Sequence, residues 1–424
     1  MSSAYCVGVR IETLTPAVEG GSPLIKIWPA RGTHTMAITL TAVFLTGCTM
    51  TAAAAPTDHV AKAATSPGTV DLPEPPGPFQ VGTAPLELVD HTRRDPFAPT
   101  SQDRALMVQL WYPSVHADRY PTAPYMPAAA ARYEDQASKL PAGTVESIRA
   151  HGHLGAPIAP AHSSRPIVLF SPGSAMSRSL YTTLVEDIAS HGYIVVAIDH
   201  PYDADVVEFP DRHLVLRNLT NQDNTQVLQV RAQDISFVLD QLDLINVGRL
   251  LPGFRGRLDL KRIAMFGHSL GGASAAAAML TDRRITAGVN MDGSFYGPVV
   301  NQGLDRPFLL MSSDKHDCTT DHTWATLWSH LHGWRLDLKL THSGHLSYSD
   351  IGVLAGPLHL AGLFPPTRLE TIDGVRAAAI EQTYLTAFFN KTLRGQSAPL
   401  LQRPNPGYPE IIFQTCQSQD PVIP

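Results

Sequence analysis

Arg262-Ile-Ala-Met-Phe-Gly-His-Ser-Leu-Gly-Gly-Ala-Ser-Ala-Ala-Ala-Ala-Met-Leu280 decides the fold. Ile263 to Phe266 is an apolar run of the kind a buried strand requires. Ala273 to Leu280 is a small-residue run that favours helix. Between them lies Gly267-His-Ser-Leu-Gly271. Strand, Gly-x-Ser-x-Gly, helix is the context that holds a serine at the tip of a sharp turn, hydroxyl exposed, near the positive end of the helix. Gly267 and Gly271 are expected to lack Cβ atoms so that strand and helix can approach. An ordinary glycine-rich strand-to-helix turn is the plain alternative, and the rest of the chain has to decide between them.

Outward from this stretch, apolar segments alternate with helical ones. Strands are expected at Pro166–Phe170, Tyr193–Asp199, Ile285–Met291, Phe308–Met311 and, last, Arg335–Leu340. Helices are expected at Leu180–His191, Asn224–Asn246, His322–His332 and Val375–Leu393. In the long one, Val227, Val230, Ile235, Val238, Leu239 and Leu242 recur near the helical period. Phe79–Val89 and Ala105–Tyr112 alternate as strands, and residues 113–160 read as Pro-rich loops around a helix at Ala128–Leu140. Repeated strand–helix–strand units imply an α/β fold, a mainly parallel sheet with helices on both faces. Ligands in such sheets bind beyond the carboxyl ends of the strands, where Ser269 falls.

The 424 residues suffice for one large core. The net charge of −6 comes with scattered Lys and Arg and no basic stripe, which argues against nucleic acid as a partner. Lys26 and Arg31 precede an apolar run, Ala37–Leu45, that ends in Leu45-Thr-Gly-Cys48. This resembles an export signal with a lipobox, too short to span a bilayer. Residues 1–48 are therefore read as a signal segment with Cys48 as the lipidation point; cleavage after Ala52–Ala55 would instead release a soluble secreted protein. Residues 49–78, rich in Ala, Thr, Pro and Ser, read as a flexible tether, and 79–424 as the domain. An oxidising compartment would pair the remaining cysteines Cys318 and Cys416.

A serine hydroxyl needs a base, and the base an acid to orient it. In a fold of this kind both follow the serine in the chain, just past strand ends. Thr341-His-Ser-Gly-His-Leu-Ser-Tyr-Ser-Asp350 offers His342 and His345, of which His345 is preferred. His268, inside the turn, is expected to pack beneath the site. For the acid, Asp292 ends one strand and Asp314 and Asp317 the next; placement of the acid after the later strand, common in folds of this kind, favours Asp314 or Asp317, and spacing alone does not decide. Two backbone N–H groups must face the developing oxyanion. Leu270 supplies one; Ser174, in Ser171-Pro-Gly-Ser174 after an earlier strand, is the better second because Pro172 has no N–H. The chain shows no His-Glu-x-x-His and no paired-Cys motif, so neither metal nor cofactor is expected. His316, Asp317 and Cys318 are adjacent, and adjacent side chains rarely converge on one ion.

Together these segments resemble the plasma-type platelet-activating factor acetylhydrolases, a branch of the α/β-hydrolase fold. The resemblance runs from about residue 104 to 350. It rests on Val108-Gln-Leu-Trp-Tyr-Pro113, Phe170-Ser-Pro-Gly173, Asp187-Ile-Ala-Ser-His-Gly-Tyr-Ile-Val-Val-Ala197 and the Gly267–Gly272 turn. It implies a metal-free serine esterase acting on short-acyl phospholipids or related lipid esters. It also implies Asp292 as the acid, within Asn290-Met-Asp-Gly293, His345 as the base, and Ser174 and Leu270 as oxyanion donors. Animal members carry His-Gly where this chain has Pro172-Gly173. Two other readings remain at this point: a lipase or polyester hydrolase of the same fold, and a surface lipoprotein that binds lipid without turning it over.

Overall fold

The computed structural model describes residues 68–219 and 222–416; the expected signal segment, with Cys48, lies outside them. The chain enters through β1 (Val70–Asp71), β2 (Gln80–Arg94), β3 (Asp103–Ser114), β4 (Thr122–Pro124), helix α1 (Ala128–Ala137) and β5 (Ile148–Leu154). Next come β6 (Arg165–Ser171), α2 (Thr182–Ser190), β7 (Ile194–Asp199), a hairpin of β8 (Val206–Glu208) and β9 (Leu214–Leu216), and α3 (Asn224–Asn246). The serine turn joins β10 (Leu258–His268) to α4 (Leu270–Thr281). Then follow β11 (Ile285–Met291), α5 (Val299–Gln302), β12 (Phe308–Ser312), α6 (His322–Ser329), β13 (Arg335–Leu340), α7 (Asp350–Leu354), α8 (Gly374–Arg394) and β14 (Ile411–Gln414).

One sheet runs in the order β1-β5-β2-β3-β7-β6-β10-β11-β12-β13-β14, with β4 against β5. Its centre, β7-β6-β10-β11-β12-β13, is parallel throughout. Side chains alternate across it with the strand period. Ile167, Leu169, Ile263 and Met265 pack with α3 and α4, whereas Val168, Phe170, Ala264 and Phe266 pack with α2 and α8. Ala273, Ala275, Ala276 and Ala278 are fully buried, and their small side chains let α4 lie close behind the serine turn.

Several expectations need correcting. The tether does not extend to residue 78, because β1 already pairs with β5 and Leu72 is buried. The loops expected around α1 contain β4 and β5; His151-Gly-His153 hides the alternation that burial reveals. β13 is not the last strand, since β14 adds antiparallel to its edge. The helix expected to reach His332 stops at Ser329, because Leu331 leaves it to bridge Leu304. Cys318 and Cys416 form a disulfide with their Cα atoms 5.6 Å apart, tying the segment beyond β14 to the loop after β12. No helix among the described residues is long and apolar enough to cross a membrane.

Candidate active site

Ser269 sits between the last residue of β10 and the first of α4 with φ 55° and ψ −125°, a region non-glycine residues enter only when the surroundings impose it. The surroundings do impose it. A Cβ on Gly267 would strike the Gly271 carbonyl group, and one on Gly271 would strike the Ser171 carbonyl oxygen. The Ser269 N–H is held by the Met291 carbonyl at 2.8 Å, and its own carbonyl accepts from Gly272 and Ala273. Ile263–His268 and Leu270 are buried while Ser269 is only partly so, which leaves it at the accessible tip.

Asp292 follows β11 with φ 57° and is 3% exposed. Its Oδ2 accepts from His345 Nδ1 at 2.6 Å. Its Oδ1 accepts from the Ser313 N–H at 2.7 Å and from His316 Nδ1 at 2.9 Å. Burial alone would raise this carboxyl; the donors from His316 and His345 overcome it and hold Asp292 well below the usual carboxylate range. It is therefore an anion at neutral pH. With Nδ1 bonded to the carboxylate, His345 is left with Nε2 as its acceptor nitrogen. Its ring centroid lies 4.5 Å from that of His268, the residue before Ser269.

The other candidates lie elsewhere. Asp317 caps the turn at Thr319 and pairs with Lys339 at 2.7 Å. Asp314 bonds through its N–H to the Ser343 carbonyl. His342 is exposed, with its carbonyl engaged by Thr371 and Ile372. His268 is fully buried between Tyr181 and Tyr348, its Nδ1 2.8 Å from the Tyr181 hydroxyl, and burial and the neighbouring His345 keep it neutral.

His316 is the residue the sequence reading passed over, having weighed it only as a metal ligand. The three adjacent side chains do diverge: His316 to Asp292, Asp317 to Lys339, Cys318 to Cys416. His316 Nε2 also donates to Asp321 Oδ2 at 3.0 Å, and its ring packs on Trp324 at 4.8 Å. Burial opposes its charge, but the two carboxylates outweigh burial and raise it to about 10. His316 is therefore an imidazolium that shares the acid with His345. Only its place after a strand end, in Ser312-Ser-Asp-Lys-His316, signalled it.

The loop after β6 packs against the serine turn, with its Ser171 and Pro172 carbonyls beside Gly271. The Gly173 N–H is taken by the Tyr181 hydroxyl at 3.1 Å and the Ala175 N–H by the Asp203 carbonyl at 3.2 Å. Among the described residues no acceptor is found for the N–H of Ser174 or of Leu270. Beside this loop lies a cavity of about 80 Å³. Met176, Leu180, Ile351, Leu354 and Leu360 form much of its wall, and Glu134 and Asp205 stand at its edge. A larger groove of about 870 Å³ runs between α3 and α4; none of Ser269, Asp292 or His345 lines either cavity.

Known proteins resemble this chain in sequence and fold. The family model for "platelet-activating factor acetylhydrolase, isoform II" matches residues 64–397, reaching well before the expected start near 104. A probable 1-alkyl-2-acetylglycerophosphocholine esterase of Arthroderma benhamiae is 31% identical over 83% of this chain and 95% of its own length. The platelet-activating factor acetylhydrolase of Cavia porcellus is 25% identical over 61% of this chain and 64% of its own. A ferulic acid esterase from Streptomyces cinnamoneus superposes with a TM-score of 0.73 at 36% identity, covering 82% of this chain and 100% of its own.

Proposed function

The chain belongs to the platelet-activating factor acetylhydrolase, isoform II, family and is a carboxylic ester hydrolase of the serine type with the α/β-hydrolase fold; on that premise we propose that it cleaves short acyl chains from phospholipids or related lipid esters. Ser269 attacks the ester carbonyl while His345 takes its proton, and Asp292 orients the imidazole and stabilises the imidazolium. The N–H groups of Ser174 and Leu270 bind the oxyanion. His345 returns the proton to the departing alcohol, then activates the water that cleaves the acyl-enzyme. The observation that carries this reading is the 2.6 Å bond from His345 to an ionised, buried Asp292 past the strand end next to the serine turn.

Substrate class is read from the relatives: the Arthroderma benhamiae protein is named a probable 1-alkyl-2-acetylglycerophosphocholine esterase and the Cavia porcellus protein a platelet-activating factor acetylhydrolase. A second reading, an aromatic hydroxycinnamate ester, is favoured by the 36% identity to the ferulic acid esterase. A p-nitrophenyl ester series from acetate to palmitate, beside a short-acyl phospholipid and methyl ferulate, separates them. A steep fall in kcat/KM beyond butyrate with phospholipid turnover supports the first; preference for methyl ferulate supports the second; preference for palmitate removes both.

We further propose that the protein is exported, anchored through lipidated Cys48 or released. The Cys318–Cys416 bond supports an oxidising compartment. Incorporation of labelled palmitate that Cys48→Ser abolishes is expected for the anchored form; an unlabelled protein in the cytosolic fraction contradicts export.

A further inference from the structure

Among the described residues, the loop after β6 leaves the Ser174 N–H without an acceptor. A Pro-Gly loop has little of its own to fix the direction of the peptide group that follows Gly173, since glycine tolerates either orientation. A flip of that one peptide would exchange the N–H of Ser174 for the carbonyl of Gly173 and turn a donor into a repulsive oxygen.

Arg231, from α3, meets this loop from beneath. It is 1% exposed and lies among the largest fully buried side chains. Its Nη1 donates to the Pro172 carbonyl at 2.6 Å and its Nη2 to the Gly173 carbonyl at 3.3 Å. Nη1 also reaches Ser171 Oγ at 3.2 Å. Its Nε donates to Asp203 Oδ2 at 2.6 Å. Asp203 in turn accepts the Ser174 hydroxyl on Oδ1 at 3.2 Å and the Ala175 N–H on its backbone carbonyl. Behind the pair, Ser171 Oγ lies 3.0 Å from His200, which bonds Asp234, which pairs with Arg104.

The consequence follows from peptide geometry. In a trans peptide the C=O and the next N–H point in opposite directions. Pinning the Gly173 carbonyl to Arg231 therefore aims the Ser174 N–H away from α3. The Ser174 hydroxyl and the Ala175 N–H are both consumed by Asp203, so this N–H is the polar hydrogen of the segment left to a substrate. Only a planar fork with several donors can hold two successive carbonyls and a carboxylate at once; an ammonium cannot. A buried ion pair is a poor source of stability compared with apolar packing. Its use here is directional.

We propose that Arg231, held by Asp203, is a positioning residue that sets the oxyanion site by fixing the Gly173–Ser174 peptide. The inference rests on the reading of Ser174 and Leu270 as oxyanion donors. The test compares R231K and R231Q with the parent chain, using a short-acyl p-nitrophenyl ester and a trifluoromethyl ketone, which mimics the tetrahedral oxyanion. Losing one oxyanion donor lowers kcat by about 10²-fold. A folded variant is expected to show that loss with KM within about threefold of the parent, an unmoved pH profile, and a ketone inhibition constant rising in step with the fall in kcat/KM. A folded variant that keeps kcat within about threefold overturns the proposal, as does a loss of kcat with ketone affinity intact. Failure of both variants to fold assigns Arg231 to stability alone and overturns it too. Ester turnover surviving in S269A would instead remove the underlying reading.

Discussion

Replacing His316 by Gln tests how the acid is shared. In the parent, Asp292 faces two imidazoles, one on each oxygen, and His316 bridges it to Asp321. The charged groups around His316 are Asp292 and Asp321 in direct contact, with Asp337 and His345 beyond. Held near 10, His316 is a cation throughout the working range. It therefore offsets part of the Asp292 charge and opposes a second cation on His345. Glutamine keeps a hydrogen bond to one carboxylate but not the charge. At an effective dielectric of about 20, two unit charges about 7 Å apart interact by about 2 kcal/mol, between one and two pH units. Both rings are partly open to water, 20% and 24% exposed, so about one unit is the realistic figure. The acid limb of the kcat/KM profile should move up by about one pH unit. Asp292 retains the Ser313 N–H and His345, so plateau kcat should fall by no more than about tenfold. The assay is p-nitrophenyl acetate hydrolysis from pH 4.5 to 9 on variant shown folded by near-ultraviolet circular dichroism. An acid limb that stays in place, or moves down, refutes the reasoning.

Asp292→Asn should cut kcat by about 10⁴-fold, as loss of the orienting carboxylate does elsewhere, while Asp314→Asn and Asp317→Asn should stay near parental; the reverse order in steady-state kinetics would move the acid. Folding stability should fall as pH rises from about 6.5 through 10. His316 is raised in the folded state, so its contribution is whole below 6.5 and lost through 10, roughly 3–5 kcal/mol at most by urea titration; a midpoint that climbs over this range contradicts it. Glu186, pushed up to about 8 by burial, adds a loss of the same sign at lower pH. Reducing Cys318–Cys416, or replacing both by Ser, opens a loop with a sequence separation of 98 and should cost about 2–4 kcal/mol in urea; thiols alkylated without reductant would show the bond absent in solution.

The fold was legible because its centre is parallel and buried on both faces. Runs such as Ile167 to Phe170 and Ile194 to Ile198 are wholly apolar and cannot be mistaken for surface. The sheet margins were harder. β5 buries Gly152 against Trp111 and Glu186 rather than presenting an apolar row, and β14 is four residues long beyond a Pro-rich stretch. Ser269 was readable from two glycines whose necessity the packing explains. Asp292 was not separable from Asp314 and Asp317 by spacing, because all three follow strand ends; it took the family resemblance to favour it and the geometry to bring it to His345. His316 and Arg231 were hard to find in the sequence for a common reason. Each acts through long-range contacts, to Asp292 from the next strand end and to Pro172 from a helix far along the chain. No local pattern marks such a partner.

The central claim is that Ser269 is the group that becomes acylated. A fluorophosphonate probe on the full chain, read by peptide mass spectrometry, tests it most directly. The account predicts a single covalent adduct on Ser269, lost in Ser269→Ala together with nearly all ester turnover and with no change in circular dichroism. A folded Ser269→Ala protein that still hydrolyses ester at the parental rate, or an adduct on another residue, contradicts it.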